Sequence, residues 1–475
     1  MKTNLMIGGN WEESTSRERY RITNPATEEE ICTVPFANAE DVNRAVLSAE
    51  KGLTGSWRKI TPSQRGRLLN LLAENIEKNK SELAEIETLN VGKPLRESLA
   101  NVDAAIKYFR YYSGAADKLE GESIPLGQDY FNFTVLEPLG VTGHIIPWNF
   151  PLSIACRSVA PALAAGNTTV IKPAALTPLT ALKLAELCMD VGFPEGVVNV
   201  ITGSGSEAGE AIVRHPSIRG ITITGSVSTG KNILKMAADG VKTVVAELGG
   251  KNPQIVFSDA DLNMAVDQTM KAAFKNAGQV CSASTRLIVE RSIHDDYLDR
   301  LISRVQGVSI GPGIENYDMG PLISKSQYNE VMDYISIGTS EGAGLVVGGN
   351  RPSNLGRGYF IQPTIFDNVR SDMRIAQEEI FGPVLCILTF ETEQEALNLA
   401  NNVSYGLVAG IFTKDITRAL RLARDIQAGQ VWINEWFIGG IQTPFGGYKE
   451  SGLGREKGMA GLMNYVQIKN IGIRF

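Results

Sequence analysis

Between residues 135 and 250, short apolar runs alternate with helical segments about five times. The apolar runs include VTGHIIP, TTVIKP, VVNVITG, GITITGS and KTVVAELGG, and apolar residues recur at helical spacing between them. Because helices usually connect parallel strands, this alternation predicts βαβ units and a doubly wound parallel sheet. In such sheets, ligands bind beyond the carboxyl ends of the strands, where the strand order reverses.

The rest of the chain surrounds this block with two other kinds of sequence. Residues 38–120 are mostly helical in pattern, and a second α/β block follows Glu247, with strands at PQIVF, RLIVE, VLCILTF, VAGIFT and VWIN. The segment 122–137 and the tail NYVQIKNIGIRF have β character but no evident place in either block. They indicate either an arm that pairs with another subunit or ordinary edge strands of the main sheet.

The composition of the chain argues against several classes of binding partner. The net charge of −6 gives no reason to expect nucleic acid or an anionic membrane. No apolar run reaches the roughly 18 residues of a membrane span, and the start MKTNLMIGGNWEE lacks the apolar core of a signal peptide, so we expect a cytoplasmic protein. The five cysteines form no CxxC pair and the three histidines have no ligand spacing, which predicts neither a disulfide framework nor a metal site.

Two glycine clusters follow successive predicted strands. One contains Gly205 and Gly209; the other, Thr224-Gly225-Ser226, opens a helix. Backbone N–H groups at such a helix start can hold a pyrophosphate, although either cluster alone could be only a structural turn. Neither cluster fits the G-x-G-x-x-G fingerprint, so with the sheet they favour a dinucleotide that is bound in an unusual way.

Lys172 ends the second strand, where a nucleotide-binding sheet usually places an acidic residue. A cation there can donate hydrogen bonds to the adenosine ribose and does not repel a 2′-phosphate. Ala175, three residues later, adds no negative charge. The sequence therefore leaves both NAD and NADP open.

Cys281 lies in a glycine-containing loop between a helix at about 261–276 and the strand Arg286–Glu290. A lone cysteine is more often a small buried apolar residue than a nucleophile. Glu247, however, ends a strand beside Gly249-Gly250, where a carboxylate is placed to act as a base. A thiol, a carboxylate and a dinucleotide together favour covalent catalysis.

Nine motifs spread over the chain resemble the aldehyde dehydrogenase superfamily and occur in that family's order: IGGNW, TNPAT, PWNFP, KPA, ITGS, ELGGK, NAGQVCSASTR, EEIFGPV and PFGGYKESGLGRE. The resemblance covers essentially the full chain. It implies an α/β fold with a Rossmann-type parallel sheet in a cofactor domain, an α/β catalytic domain and a β oligomerisation arm, and hence a homodimer or homotetramer. The implied domains are 1–121 with 138–246, then 247–445, and for the arm 122–137 with 460–475.

The resemblance also implies roles for individual residues. Cys281 would attack the aldehyde, the Asn149 amide and the Cys281 N–H would stabilise the oxyanion, and Glu247 would activate water to hydrolyse the thioester. Glu379 and Phe381 would hold the nicotinamide ribose and ring. The cofactor positions are Ile146, Pro147, Trp148, Lys172, Ala174, Ala175, Gly205, Gly209, Thr224, Gly225, Ser226, Leu248, Glu379 and Phe381.

One arginine bears on the substrate. Arg157 follows Asn149 by eight residues and shares a helical face with Phe150. At this position the chain resembles the succinic semialdehyde dehydrogenase group, which implies that Arg157, with Lys275, grips a substrate carboxylate. The predicted substrate residues are Phe150, Arg157, Lys275, Val280, Ser282, Trp436 and Phe445.

Other interpretations remain open on the same residues. The run RSVAPAL also resembles aromatic aldehyde dehydrogenases of the benzaldehyde and vanillin type, and the loop from Trp436 to Gly440 offers an aromatic wall beside two glycines. Arg157 could instead pair with a nearby carboxylate and serve only packing. A CoA-acylating dehydrogenase needs no base for water, so Glu247 argues against it. Intact Cys281 and Glu247 argue against a non-enzymatic structural protein.

Overall fold

A computed structural model describes residues 2–475. The helices, in chain order, are α1 (Ala39–Thr54), α2 (Ser56–Lys59), α3 (Pro62–Lys78), α4 (Lys80–Val91), α5 (Leu95–Ala115), α6 (Pro151–Ala165), α7 (Leu179–Asp190), α8 (Glu210–Arg214), α9 (Val227–Ala238), α10 (Leu262–Phe274), α11 (His294–Gln306), α12 (Lys325–Ser340), α13 (Arg374–Gln377), α14 (Glu393–Asn401), α15 (Ile416–Asp425) and α16 (Gly458–Met463).

The strands, in chain order, are β1 (Leu5–Ile7), β2 (Asn10–Glu12), β3 (Arg19–Thr23), β4 (Glu30–Pro35), β5 (Ser123–Ile124), β6 (Tyr130–Pro138), β7 (Val141–Ile145), β8 (Thr168–Lys172), β9 (Val198–Val200), β10 (Ile218–Thr224), β11 (Thr243–Glu247), β12 (Asn252–Val256), β13 (Ser284–Glu290), β14 (Gly344–Val347), β15 (Thr364–Asp367), β16 (Val384–Phe390), β17 (Tyr405–Gly406), β18 (Val408–Phe412), β19 (Gln430–Ile433), β20 (Tyr448–Lys449), β21 (Gly452–Leu453) and β22 (Val466–Arg474).

The first large sheet has eight strands in the order β2-β1-β9-β8-β7-β10-β11-β21. Strands β7 to β11 are parallel, as the alternating sequence predicts, and the two edges are antiparallel. The chain moves outward from β7 through β8 to β9 and then returns to place β10 on the other side of β7. The strand order therefore reverses between β7 and β10, which is where a doubly wound sheet binds its ligands.

Two helices start at this reversal point. Pro151 occupies the first position of α6, where its missing N–H leaves no helical bond unmade, and Gly166 ends the helix in the left-handed region with φ 98°. Ser226 caps α9, and its hydroxyl accepts a hydrogen bond from the Thr229 N–H at 3.2 Å. Both helices therefore begin directly after a strand of the parallel sheet.

The second large sheet has seven strands in the order β14-β15-β16-β13-β12-β18-β19, and all neighbours are parallel except β14. The chain enters it at β12, five residues after Glu247 ends β11 in the first sheet. The loop that carries Cys281 connects α10 to β13, as predicted. Glu247 therefore ends the last parallel strand of the first sheet, and Cys281 lies three residues before a strand of the second.

The two β segments without a place in either block pair with each other. Strand β22 runs antiparallel to β6 over nine residue pairs, from Val466 with Pro138 to Arg474 with Tyr130, and the short β5 lies on the other side of β6. They form a separate three-stranded sheet and are not edge strands of the main sheet. Assigning this sheet to subunit contacts, and the limits of the three domains, stay predictions.

Apolar side chains fill both faces of the two large sheets. One cluster packs α3, α5, α6 and α7 against the first sheet, and another packs α10, α11 and α12 against the second. No helix within residues 2–475 is long and apolar enough to cross a membrane. In the same range, no group of three or more His, Cys, Asp or Glu side chains could hold a metal ion.

Candidate active site

A cleft of about 810 Å³ opens at the carboxyl ends of the parallel strands and reaches the loops of the second sheet. Asn149 and Cys281 both line it. The predicted cofactor residues that line it are Ile146, Pro147, Trp148, Lys172, Ala174, Ala175, Gly205, Thr224, Gly225, Ser226, Leu248, Glu379 and Phe381. Gly209 lies just behind, where an added Cβ would be 3.6 Å from Lys172 Cδ.

Several lining residues were not singled out from the sequence. They are Ile145, Ile223, Val227, Ser228, Thr229, Lys231, Gly249, Gln327, Glu330 and Tyr405. Those in the first turn of α9 follow from the helix start that the glycine cluster already indicated. Gln327 and Glu330 lie on α12 and Tyr405 on β17, and no local signal in the sequence connects these elements with the cleft.

The cleft meets the amino terminus of α9. The first amide N–H groups of a helix have no partner within the helix and point out of its end. Gly225 and Ser226 connect β10 to the first turn of α9, and both residues line the cleft. The arrangement is suited to an anion such as a pyrophosphate.

Lys172 provides a cation at the end of β8. Its side chain is buried, and Nζ donates a hydrogen bond to the Pro173 carbonyl at 3.0 Å. Burial lowers the pKa of Lys172 to about 8. An ammonium has three N–H donors, so the group can also donate to hydroxyl oxygens in the cleft.

Glu379 lies opposite, in the loop between α13 and β16. One carboxylate oxygen accepts a hydrogen bond from the Gly250 N–H at 3.1 Å, and a Cβ added to Gly249 would lie 2.0 Å from the other. A side chain at position 249 would therefore displace the Glu379 carboxylate from this position. Burial raises the pKa of Glu379 to about 7, although the Gly250 N–H opposes this. Two residues on, Phe381 packs its ring edge-on to Trp148, with centroids 5.1 Å apart.

The Cys281 thiol is partly exposed at the inner end of the cleft. Burial raises its pKa to about 12, and the Arg157 guanidinium partly offsets this. Glu379 and Glu247 raise the pKa of the thiol further, whereas the Ser282 N–H lowers it by donating to the sulfur. With its pKa raised in this way, the Cys281 thiol is protonated at neutral pH.

The predicted oxyanion donor lies against the cysteine loop. Asn149 is buried, and its side-chain N–H donates to the Gln279 carbonyl at 3.0 Å, two residues before Cys281. The Asn149 side-chain oxygen accepts from the Phe150 N–H at 3.1 Å, which fixes the orientation of the amide. The amide N–H groups are therefore directed toward the loop that carries the thiol.

Glu247 is a buried carboxylate in an unusual state. It is 2% exposed, and neither of its oxygens has a hydrogen-bond partner among the described residues. Burial and the nearby Glu456 raise its pKa well above the usual range, while Arg157 acts to lower it. An unpartnered buried carboxyl is costly for folding, and groups with pKa values shifted in this way are typical of functional sites.

Arg157 does not present a free cation to a substrate. It is buried and forms an ion pair with Glu456, and its Nη2 donates to Thr224 Oγ1 at 3.2 Å. Its guanidinium also lies 5.3 Å from the centre of the Phe445 ring. The sequence left two hypotheses for Arg157: it binds a carboxylate of the substrate, or it pairs with a carboxylate of the protein. This geometry favours the second. Glu456 ends the motif PFGGYKESGLGRE, but the sequence did not indicate that it lies against α6.

Trp436 supports the cysteine loop and does not form a wall of the site. Its side chain is fully buried, and its indole N–H donates to the Ser282 carbonyl at 3.0 Å. Val280 and Ser282, on either side of Cys281, are also buried. These residues hold the backbone of the nucleophile in place.

The partly exposed aromatic ring of this loop is Phe437. The Lys275 ammonium lies 5.1 Å from the centre of the Phe437 ring. The Lys93 ammonium lies 4.1 Å from the centre of the Phe150 ring, next to Asn149 in the chain, and Lys93 pairs with buried Glu87 at 2.9 Å. Of these cations, Lys275 alone was predicted from the sequence.

This fold and this cleft are those of an α/β oxidoreductase. The chain belongs to the aldehyde dehydrogenase family, whose sequence model matches residues 11–471. It is 46% identical to retinal dehydrogenase 2 of Homo sapiens, over 99% of this chain and 92% of that protein. It is 44% identical to betaine aldehyde dehydrogenase of Bacillus subtilis, over 99% of this chain and 97% of that protein.

A crystal structure of betaine aldehyde dehydrogenase from Staphylococcus aureus in complex with NAD+ has the same fold. The TM-score is 0.98 at 43% identity, and the match covers 99% of this chain and 95% of that one. The predicted superfamily, fold class and enzyme class are therefore confirmed: the chain is an oxidoreductase that acts on aldehydes.

Proposed function

We propose that this protein oxidises an aldehyde to a carboxylate, with Cys281 as the covalent nucleophile and NAD or NADP as the electron acceptor. The observation that carries the proposal is a thiol and an amide that line one cleft, with a buried carboxylate close to the thiol. The Cys281 thiol and the Asn149 amide line the cleft, and the unpartnered Glu247 carboxylate, from a third element, lies close enough to Cys281 to raise its pKa.

The cleft fits a nicotinamide dinucleotide. Lys172 offers N–H donors for ribose hydroxyls, the α9 amino terminus offers amides for a pyrophosphate, and Glu379 offers acceptors at the far end. When bound, the nicotinamide supplies the acceptor for a hydride. The related Staphylococcus aureus enzyme, crystallised in complex with NAD+, supports this assignment.

The protein groups suit the covalent steps. The partly exposed Cys281 thiol gives up its proton to solvent, and the sulfur bonds to the aldehyde carbon. The carbonyl oxygen takes the negative charge and accepts hydrogen bonds from the Asn149 side chain and the Cys281 N–H. Loss of hydride from that carbon leaves a thioester on Cys281. Glu247 then takes a proton from water, the water oxygen bonds to the carbonyl carbon, and the carbon–sulfur bond breaks to release the acid.

The raised pKa of Glu247 fits this base role. A general base works best when its pKa lies close to the working pH, and burial moves a carboxyl in that direction. Because neither oxygen has a hydrogen-bond partner among the described residues, both remain free to accept a hydrogen bond from a water molecule in the site. A CoA-acylating enzyme would have no use for this group.

For the substrate, we favour an aldehyde with an aromatic or apolar body. Phe150, Phe437 and Phe445 supply apolar faces, and the charge of Arg157 is already matched by Glu456. Two relatives are named for retinal and betaine aldehyde, neither of which carries a carboxylate. The second candidate is a carboxylate-bearing aldehyde such as succinic semialdehyde, because the Lys275 ammonium forms no ion pair with any described residue.

The test measures reduced nicotinamide formed from benzaldehyde, butyraldehyde and succinic semialdehyde, each with NAD and with NADP. We expect benzaldehyde to have the highest kcat/KM; a preference for succinic semialdehyde would support the second candidate instead. Cys281→Ala should abolish turnover, whereas Cys32→Ala, a partly exposed cysteine on β4, should leave it unchanged. Equal activity in wild type and Cys281→Ala would disprove the proposal.

Glu247→Gln separates the two half-reactions. Without the base, the first turnover should still release one equivalent of reduced nicotinamide per subunit, after which the thioester persists and the steady rate falls by about 100-fold or more. Intact mass spectrometry should then detect the acyl adduct on Cys281. If CoA restores full turnover, thioester cleavage by CoA is the correct mechanism.

A cytoplasmic location is part of this proposal. It is supported by the five cysteines, none of which forms a disulfide.

A further inference from the structure

The residues just before the nucleophile form a left-handed turn. Asn276 has φ 49° and ψ 38°, Ala277 has φ 54° and ψ 37°, and Gly278 has φ 73°. Glycine adopts this region readily and asparagine tolerates it, but alanine does so rarely because its Cβ crowds the backbone. Two consecutive residues with side chains in this region mark a segment that its surroundings hold in place.

The Asn276 side chain joins the cysteine loop to the oxyanion donor. Its Nδ2 donates to the Asn149 carbonyl at 3.2 Å and to the Gln279 carbonyl at 3.4 Å. The Asn149 side-chain N–H donates to the same Gln279 carbonyl at 3.0 Å. The main chain of Asn149 and the main chain two residues before Cys281 are therefore tied together through one amide.

The turn has two further anchors. The Asn276 N–H donates to Glu97 Oε1, from α5, at 3.3 Å, and the Asn276 carbonyl accepts from the Gln279 side chain at 2.9 Å. On the other side, a Cβ added to Gly278 would lie 2.1 Å from the Gly382 carbonyl oxygen. The turn therefore packs directly on the segment that carries Phe381 into the cleft.

This arrangement is poor for stability alone. Asn276 is buried, and its Oδ1 has no hydrogen-bond partner among residues 2–475. A buried acceptor without a donor is unfavourable, and so is the left-handed alanine beside it. Local costs of this kind are expected where a segment is held for function.

From this geometry we propose that Asn276 is a positioning residue for catalysis. It fixes the distance between Asn149 and the Cys281 loop, so that the amide N–H and the thiol sulfur reach the same carbonyl group. Asn276 acts through Asn149 and does not touch the substrate. The inference rests on the proposed function, in which Asn149 stabilises the oxyanion.

The test compares Asn276→Gly, Asn276→Asp and Ala277→Gly. Glycine suits the left-handed turn, so Asn276→Gly removes the amide without straining the backbone, and Asn276→Asp keeps the shape but cannot donate. We expect both to lower kcat with benzaldehyde by about 100-fold, as a misplaced catalytic group does, with the KM for NAD unchanged. The melting temperature of Asn276→Gly should stay close to wild type.

Ala277→Gly is the matched control, because it relieves strain in the same turn but keeps every Asn276 hydrogen bond. It should retain wild-type kcat and melt at the same or a higher temperature. If Asn276→Gly keeps kcat within about threefold of wild type, or if Ala277→Gly loses as much activity, Asn276 does not position the site.

A second measurement does not depend on turnover. The rate of Cys281 alkylation by iodoacetamide, followed by intact mass, reports the orientation of the loop alone. It should change several-fold in Asn276→Gly and Asn276→Asp and stay unchanged in Ala277→Gly; equal rates in all four proteins would overturn the inference. If wild type oxidises no aldehyde but the alkylation rates differ as expected, the proposed function fails, whereas Asn276 still sets the orientation of the Cys281 loop.

Discussion

Glu379 is a cleft residue whose ionisation state changes near neutral pH. Burial raises its pKa to about 7, so it is mostly protonated at pH 6 and mostly ionised above pH 7. The ionised carboxylate accepts stronger hydrogen bonds from ribose hydroxyls than the protonated acid does. The affinity of the protein for a nicotinamide dinucleotide should therefore increase as the pH rises through this range.

We expect the dissociation constant for NADH to fall several-fold between pH 6 and pH 7.5, in step with the ionised fraction of Glu379. Fluorescence titration of NADH at fixed ionic strength measures it. Glu379→Gln should bind more weakly and with no pH dependence. Glu378→Gln is the control, because that neighbour is paired with Arg374 at the surface. An unaltered pH dependence in Glu379→Gln would assign the effect to another group.

Ala175 concerns the choice between NAD and NADP. It lines the cleft three residues after Lys172, and no acidic side chain accompanies it at the end of β8. Wild type should accept both cofactors. Ala175→Glu should place a carboxylate beside the ribose and raise the kcat/KM ratio of NAD over NADP by at least about tenfold, through repulsion of the 2′-phosphate. Ala175→Gln, which adds the same bulk without charge, should change the ratio much less.

At the scale of elements, α6 and the segment before α16 are joined by the Arg157–Glu456 pair. Both side chains are buried, so removal of one partner leaves an unmatched charge inside the protein. Glu456→Gln should lower the free energy of unfolding by about 3–5 kcal/mol. Arg374→Met, which breaks an exposed pair with Glu378, should cost no more than about 1 kcal/mol.

Urea titration of the three proteins measures this difference. Replacement of both partners, Arg157→Met with Glu456→Gln, should recover much of the loss because no unmatched charge remains. A double variant as unstable as Glu456→Gln would show that the packing of these side chains, and not their charge, stabilises the contact.

The elements were largely predictable, but the contacts between them were not. Alternation of strands and helices is a local pattern, so the parallel sheet and the position of Cys281 between α10 and β13 follow from the sequence. The Arg157–Glu456 pair depends on how two segments that are distant in the chain pack together. No sequence pattern near Arg157 predicts it. The left-handed turn at Asn276 and Ala277 was not predicted either. Glycine is the residue type that usually marks such a turn, and only Gly278 is a glycine.

At the scale of the whole molecule, the three-stranded sheet exposes apolar side chains and an edge strand that another chain could cover. Strand β22 is at the edge of this sheet, and one face groups Phe131 with Ile473, which are 46% and 43% exposed. Phe475 follows at 81% exposed. A long edge strand with exposed apolar residues promotes association with another chain. We expect a second copy of this protein to cover it, giving a homodimer or homotetramer.

Light scattering after size-exclusion chromatography tests this expectation. Wild type should have a mass that is a multiple of the 51.4 kDa chain. Ile473→Asp places a charge on the apolar face and should shift the protein toward the single-chain mass, because burial of an unpaired carboxylate opposes contact. Asn470→Asp adds the same charge to the opposite face of the same strand and should leave the mass unchanged. A wild-type mass of 51.4 kDa would show that the arm does not serve assembly.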